Sequence, residues 1–322
     1  MITEAPEPCD IIWENIGKKP LNKVFTRIFT YFLSLLILSA SFFTILMIKK
    51  YQIENIQQQT DVWKKYISSI LIFLVVFVVG EILHFTLRKI SSREMHSTLS
   101  GFNSSVAKRL STAKWVNSCL VLVMANYIVH GKDLKNHIHS QGGLIYDVLF
   151  VVLGSSIISP LMKFIDLSHM YRCLKKRSIR NAGVLSKITQ QEANYWFENP
   201  GMDLANDYSM YSNLLMIGLF FMYIFPLGLF FCLIGTFLLF MADKYLLLRI
   251  YSLPKANSGQ LIFKILQYWD FIMITYAISQ IIFDSIIFSK VTSYSWIIFA
   301  ISIANYIFGI HYLLMNLFSQ QN

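Results

Sequence analysis

Glu81 and His84 stand three residues apart in Tyr66–Leu87, a run otherwise apolar enough to cross hydrocarbon. At helical spacing the two share one face, and ionisable groups at membrane depth are costly unless they serve an ion path or reach water. The pair reads either as a cation-attracting group in an inner vestibule or as side chains that snorkel to headgroups or pair with Arg88 or Lys114. Asn117 and Asn126 in Leu110–Val129, and Tyr211 and Asn213 near the start of Tyr208–Phe225, offer amides and a phenol to the same path or to packing. In Leu144–Ile165, Asp147, Ser155 and Ser159 recur at multiples of four residues and lead to Asp166, which makes a polar stripe along one helix. Pro160 in that run lacks an N–H and would free a backbone carbonyl. The serines equally suit back-bonding to their own helix in a packed interface. The chemistry in view is the passage of ions rather than the making of bonds.

No Walker loop, HExxH, GxSxG or haem-type Cys/His spacing occurs, so no enzymatic activity and no cofactor is expected. Cys9, Cys119, Cys173 and Cys232 are scattered and imply no disulfide framework or metal site. Cys119 and Cys232 read as small buried hydrophobes, and Cys173 beside a basic stretch as a palmitoylation candidate. Asp147, Asp166 and Asp243 stand singly, whereas Ca²⁺ takes six or more oxygens, so no calcium-activation site is expected. Asp270, Asp284, Asn305 and His311 suit interhelical hydrogen bonds.

These residues need elements to position them. The chain has 322 residues, 55% hydrophobic and 14% charged, with a mean hydropathy of +0.51. Soluble domains carry about 25% charged residues, and disorder needs few apolar residues, so both classes are excluded. The net charge of +10 is topology signal and attraction to anionic headgroups; nucleic acid is not implied. Eight runs approach the roughly 20 residues that hydrocarbon requires: Val24–Ile48, Tyr66–Leu87, Leu110–Val129, Leu144–Ile165, Tyr208–Phe225, Leu227–Leu248, Ile265–Phe288 and Tyr294–Phe318. Pro226 and Gly228 break the nearly continuous fifth and sixth into a tight hairpin. With the N-terminus inside, 21 Lys/Arg fall inside and 7 outside, which predicts both termini in the cytosol. The expectation is an all-α polytopic membrane protein: a cytosolic segment 1–23, a membrane region 24–318 with short outer loops, and a tail 319–322. The sequon at Asn103 then lies inside and carries no glycan, and Val184–Asn199 forms a surface helix.

The opening run Ala5-Pro6-Glu7-Pro8-Cys9-Asp10-Ile11-Ile12-Trp13-Glu14-Asn15 resembles the APEPxDIxWEN signature of the OSCA family of hyperosmolality- and stretch-gated, calcium-permeable channels, relatives of the anoctamins and the transmembrane-channel-like proteins. Four further stretches resemble family segments in the family's order. They are Trp115-Val116-Asn117, then Ala193 to Tyr208 with Phe197, Pro200 and Ala205, then Pro226-Leu227-Gly228, then Asp243-Lys244-Tyr245-Leu246-Leu247. The resemblance implies a pore inside one subunit, between spans one to five, with acids around its inner mouth. Family members carry two or three further spans and an RNA-recognition-like domain upstream of the opening motif. This sequence reads accordingly as a C-terminal, pore-forming half or a shortened relative. The family's further pore acid on the next span has no counterpart, since span three offers Asn117, Ser118 and Asn126.

The expected function is a tension- or osmotically gated cation channel, or the pore-forming half of one, with a lipid scramblase or a non-conducting scaffold as alternatives. The expected partners are the bilayer, permeant cations, and a dimer mate or subunit supplying the missing N-terminal half. The plasma membrane is the expected location, with an intracellular membrane as the alternative.

Overall fold

A backbone in hydrocarbon must satisfy its own hydrogen bonds, and helix is the local way to do so. The computed structural model describes residues 7–17, 20–52, 62–140, 142–183, 188–252 and 260–309. Among these it is helical, with only two isolated bridges, Ile11 to Thr98 and Gly201 to Ser252. In chain order, α1 is Pro20–Tyr51 and α2 is Val62–Ser91. Next, α3 (Leu99–Trp115) runs through a π turn, Val116–Leu120, into α4 (Val121–His130), and a short α5 (Leu134–His137) follows. Then α6 (Leu144–Leu153) passes through a second π turn, Gly154–Ile158, into α7 (Ser159–Ile165). The rest comprises α8 (Leu167–Ala182), α9 (Gln190–Phe197), α10 (Leu204–Phe221), α11 (Leu227–Arg249), α12 (Gln260–Ile287) and α13 (Ser293–Phe308).

Six helical stretches are long and apolar enough to cross a membrane: Val24–Tyr51, Tyr66–Glu94, Leu99–His130, Leu144–Ala182, Leu227–Arg249 and Leu261–Ile287. The fifth expected span is present as α10, but Asn206, Asp207, Ser209, Ser212 and Asn213 make its first half polar. The eighth is present as the 16-residue α13; its expected continuation, with His311 and the tail 319–322, lies outside the described residues. Ala5 and Pro6 of the opening motif also lie outside them. The third span starts earlier than hydropathy suggests. Leu99 opens the helix, the Thr98 hydroxyl caps Gly101 N–H at 3.1 Å, and the buried small residues Ser100, Ser104, Ala107 and Ser111 let α10 pack closely. Of the surface helix expected over Val184–Asn199, residues 184–187 lie outside the described residues, and the remainder forms α9, started by a capping box between Thr189 and Glu192.

The residues of the opening motif fold as a clasp over the α2–α3 turn. Asp10, fully buried, accepts the Ser100 N–H at 2.7 Å and its hydroxyl at 2.8 Å. The Asn15 side chain donates to the His96 carbonyl at 2.9 Å. Beneath the clasp, buried Glu94 receives Arg109 in bidentate fashion, His96 at 3.2 Å and Thr30 at 3.0 Å, so α1, α2 and α3 share one anchor at this end.

A second anchor sits at the opposite end. Lys49 (1% exposed) meets Asp147 (0% exposed) at 2.5 Å and the Gly142 carbonyl at 3.0 Å. Ser69 donates to Asp147 at 2.7 Å and Asn126 at 3.2 Å, so α1, α2, α4 and α6 converge on one carboxylate. Between the anchors lies the apolar core, where Trp115, Phe220 and Phe283 pack edge to face. At the α12–α13 turn, Asp284 accepts Tyr223 at 3.1 Å and the Thr292 hydroxyl at 2.6 Å. This fits the role expected of that residue.

Replacing Lys49 with Met strands the Asp147 charge and should cost about 3–5 kcal/mol. The double variant K49M/D147L should recover most of that loss in thermal unfolding of detergent-purified protein.

Candidate functional site

The polar residues Asp203 at the N-cap of α10 and Asn206, Asp207 and Asn213 within it follow a helical stripe, joined by Met210, and this stripe lines the cavities. A chamber of about 830 Å³ opens between the ends of α2, α7, α10 and the α8–α9 pair. It adjoins a throat of about 50 Å³ deeper in the bundle, and Phe77, Glu81, Ser159 and Met210 line both.

Charges in the chamber are mostly committed to one another. Asp203 caps α10 through the Asn206 N–H and receives His84 at 3.1 Å together with Arg88. The Lys163 ammonium bridges Asp207 and Asp243, and the Tyr211 phenol donates to Asp243 at 2.8 Å. Asp166, at φ +40°, ends α7 and accepts Tyr251 at 2.8 Å. Burial first, and this bond second, raise the Tyr251 phenol pKa, so it remains a donor. Glu81 is the exception. It is exposed to the chamber and makes no hydrogen bond or close ion pair among the described residues; the nearest balancing charge is Lys114 in the throat, whose ammonium donates to Asn206 at 3.2 Å.

Both π turns contribute to the lining of the throat. Asn117 and Ser118 come from the first, Ser155 from the second, and Ser159 and Asn213 complete its polar lining. A π turn leaves carbonyls loosely held and often marks a working site. In the first turn the Ser118 hydroxyl bonds back to the Lys114 carbonyl at 2.9 Å. Asn117 accepts Ser41 at 2.6 Å and donates to the Val76 carbonyl at 3.0 Å. In the second, Pro160 comes two residues after the turn ends, and its ring would clash with the carbonyl four residues back, within the turn, in a regular helix. Phe73 also lines the throat, and its side chain lies on Gly154. A Cβ at Gly154 would sit 2.1 Å from the ring. Across the same turn, a Cβ at Gly235 would sit 2.7 Å from Ser156 Cα, so α11 backs it closely.

Of the residues singled out in the sequence, Glu81, His84, Asn117, Ser155, Ser159 and Asn213 converge on these two cavities. Asn126 and Asp147 lie instead in the buried anchor with Lys49, and Tyr211 holds Asp243. Pro226 caps α11 just after the turn from α10, where Gly228 fits against the Phe225 ring. Lys163, Asp203 and Asp207 were not singled out, although the helical spacing of the last two marks them, and Lys114 was offered only as a partner for Glu81 or His84. Among the described residues no group of three or more His, Cys, Asp or Glu side chains is placed to hold a metal ion. No protein-family model matches the chain, and no curated protein matches it.

The Phe73–Gly154 contact predicts coupling. Gly154→Ala should lower thermal stability by about 1–3 kcal/mol through overpacking. Phe73→Leu in the same chain should return part of the loss, giving a double-mutant coupling above about 0.5 kcal/mol.

Proposed function

We propose that the chain is a tension-gated cation channel of the OSCA type, or the pore-forming half of one. The observation that carries this reading is a polar chamber narrowing onto a throat lined by two π turns within one chain. The reading takes the six sufficiently apolar helices together with α10 and α13 as eight spans, and the Lys/Arg asymmetry supports cytosolic termini, which would turn the chamber to the cytosol. The path runs between α2, α3, α7 and α10, with α11 behind it; α1 packs on its outside, because none of the throat or chamber lining comes from α1. The cation preference rests on Glu81. Lys114 opposes it, so calcium permeability rests on the family resemblance alone. The plasma membrane suits a tension sensor.

Gating follows from the π turns. Closing one into a regular helix removes one residue from the turn and rotates the helix beyond it by about 100°. Such a rotation at Gly154–Ile158 carries α7, with Ser159 and Lys163, around the throat and unseats Phe73 from Gly154. Membrane tension favours whichever packing occupies more area, and no ligand is required. Lipid scrambling would need a polar track running along the helix faces from one membrane surface to the other, whereas the polar residues here gather at one end of the bundle and narrow onto the throat.

Purified protein in liposomes under patch suction should pass cation current. Glu81→Gln should lower it about two- to fivefold, as ~0.5–1 kcal/mol of lost attraction implies. Glu81→Lys should lower it further and Lys114→Gln should raise it. These differences should shrink at 1 M salt, where the Debye length is about 3 Å. Absence of current from folded, inserted protein would favour the scaffold.

Topology has its own check in a cysteine-free background. A cysteine at His137 should react with an impermeant reagent from outside, and cysteines at Arg93 and Arg177 from inside. Outside labelling at Arg177 would contradict the orientation.

A further inference from the structure

A cavity of about 1070 Å³, larger than the chamber, lies on the other side of α2, between the N-terminal clasp, the start of α1 and the α2–α3 turn. One wall is apolar and outward-facing, with Val24, Phe25 and Ile28 half to three-quarters exposed. The opposite rim is polar and basic. Arg93 is exposed there and makes no hydrogen bond or ion pair with any described residue. Glu94, the carboxylate beside it, is already met by Arg109, His96 and Thr30, and Arg27 stands 3.9 Å from it, half exposed. Glu14 is the acid among the described lining residues. The groove joins the first turns of one apolar helix to the last turn of another, which puts its rim at headgroup depth and its apolar wall beside the acyl chains.

We propose that this groove binds an anionic phospholipid from the leaflet at that end, with its phosphate at Arg93 and an acyl chain over Val24, Phe25 and Ile28. Charge decides the class of occupant. Among the described residues the rim offers the uncommitted Arg93 guanidinium, with half-exposed Arg27 close by on Glu94, and basic groups at helix ends beside the membrane surface select anionic headgroups. The apolar wall decides that the occupant is a lipid rather than a free anion. A lipid seated here touches the clasp, α1 and the α2–α3 turn together and ties the first two spans to α3. The proposal does not depend on conduction.

The test uses delipidated full-length protein in detergent, with melting temperature and retained lipid by native mass spectrometry as readouts. Phosphatidylserine should raise the melting temperature and stay bound through gentle activation, and phosphatidylcholine should do so far less. Arg93→Gln removes a charge-assisted bond and should weaken phosphatidylserine binding roughly tenfold. Because Arg93 holds nothing else, the lipid-free melting temperature should not move. Val24→Glu, which sets a negative charge in the apolar wall, should abolish retention. Arg177→Gln on α8 should leave it unchanged. Equal stabilisation by both lipids, or full phosphatidylserine selectivity in Arg93→Gln, overturns the proposal. Inorganic phosphate reproducing the effect would make the groove an anion site, and a co-purifying polypeptide that blocks lipid uptake would make it a protein interface. Either result overturns it.

Discussion

A carboxylate or amide carried into hydrocarbon must be met by a polar group of the same protein, and that requirement decides where α10 sits. Its first half bears Asp203, Asn206 and Asp207, which find Arg88 and His84 on α2, Lys114 on α3 and Lys163 on α7. Its second half, from Leu214 to Phe221, is apolar and supplies the centre of the core. A helix so divided cannot face lipid at its polar end. The other helices therefore gather round it, and the space left between their partnered charges is the chamber.

The two ends of the bundle resolve the same constraint differently. Around Asp147 the carboxylate is fully buried and well paired: one ammonium and two neutral donors surround it. Mutual attraction offsets the desolvation of a buried pair only with such additional bonds, and the result is a rigid anchor for four helices. Around Lys163 the pairs line a cavity, and Glu81 remains uncommitted. An anchored end and a looser, wet end allow α7 to turn about the second π turn while α6 stays fixed. Gly154 and Gly235 let Phe73 and α11 close directly on that turn, so movement there is transmitted to both.

The positions of the helices were legible in apolar run length, and the break at Pro226 and Gly228 in residue type. The stripe through Ser155 and Ser159, and the Glu81–His84 face, were legible as periodicity, and both meet in the cavities. Three features were not. The start of α3 at Leu99 was hidden because its buried face is made of serines and alanines that hydropathy does not register. The π turns leave no compositional mark beyond Pro160. Lys49, Lys114 and Lys163 read as topology charges because their partners are distant in sequence, so that only the folded packing shows Lys49 on Asp147 and Lys163 between two aspartates. Asn126 and Asp147 were grouped with the path residues for the same reason: sequence displays a polar group at depth but not what meets it.

The central claim is that ions pass the ring formed by the two π turns once Phe73 leaves Gly154. The direct measurement is modification of Ser155→Cys by a positively charged methanethiosulfonate reagent applied at the chamber side of protein in liposome patches, with and without suction. The account predicts that the reagent reduces cation current when applied under tension, and that the same exposure at rest leaves later current unchanged. Tension-evoked current that persists unaltered after exposure under tension, with a free thiol at position 155 confirmed by labelling of unfolded protein, would contradict it.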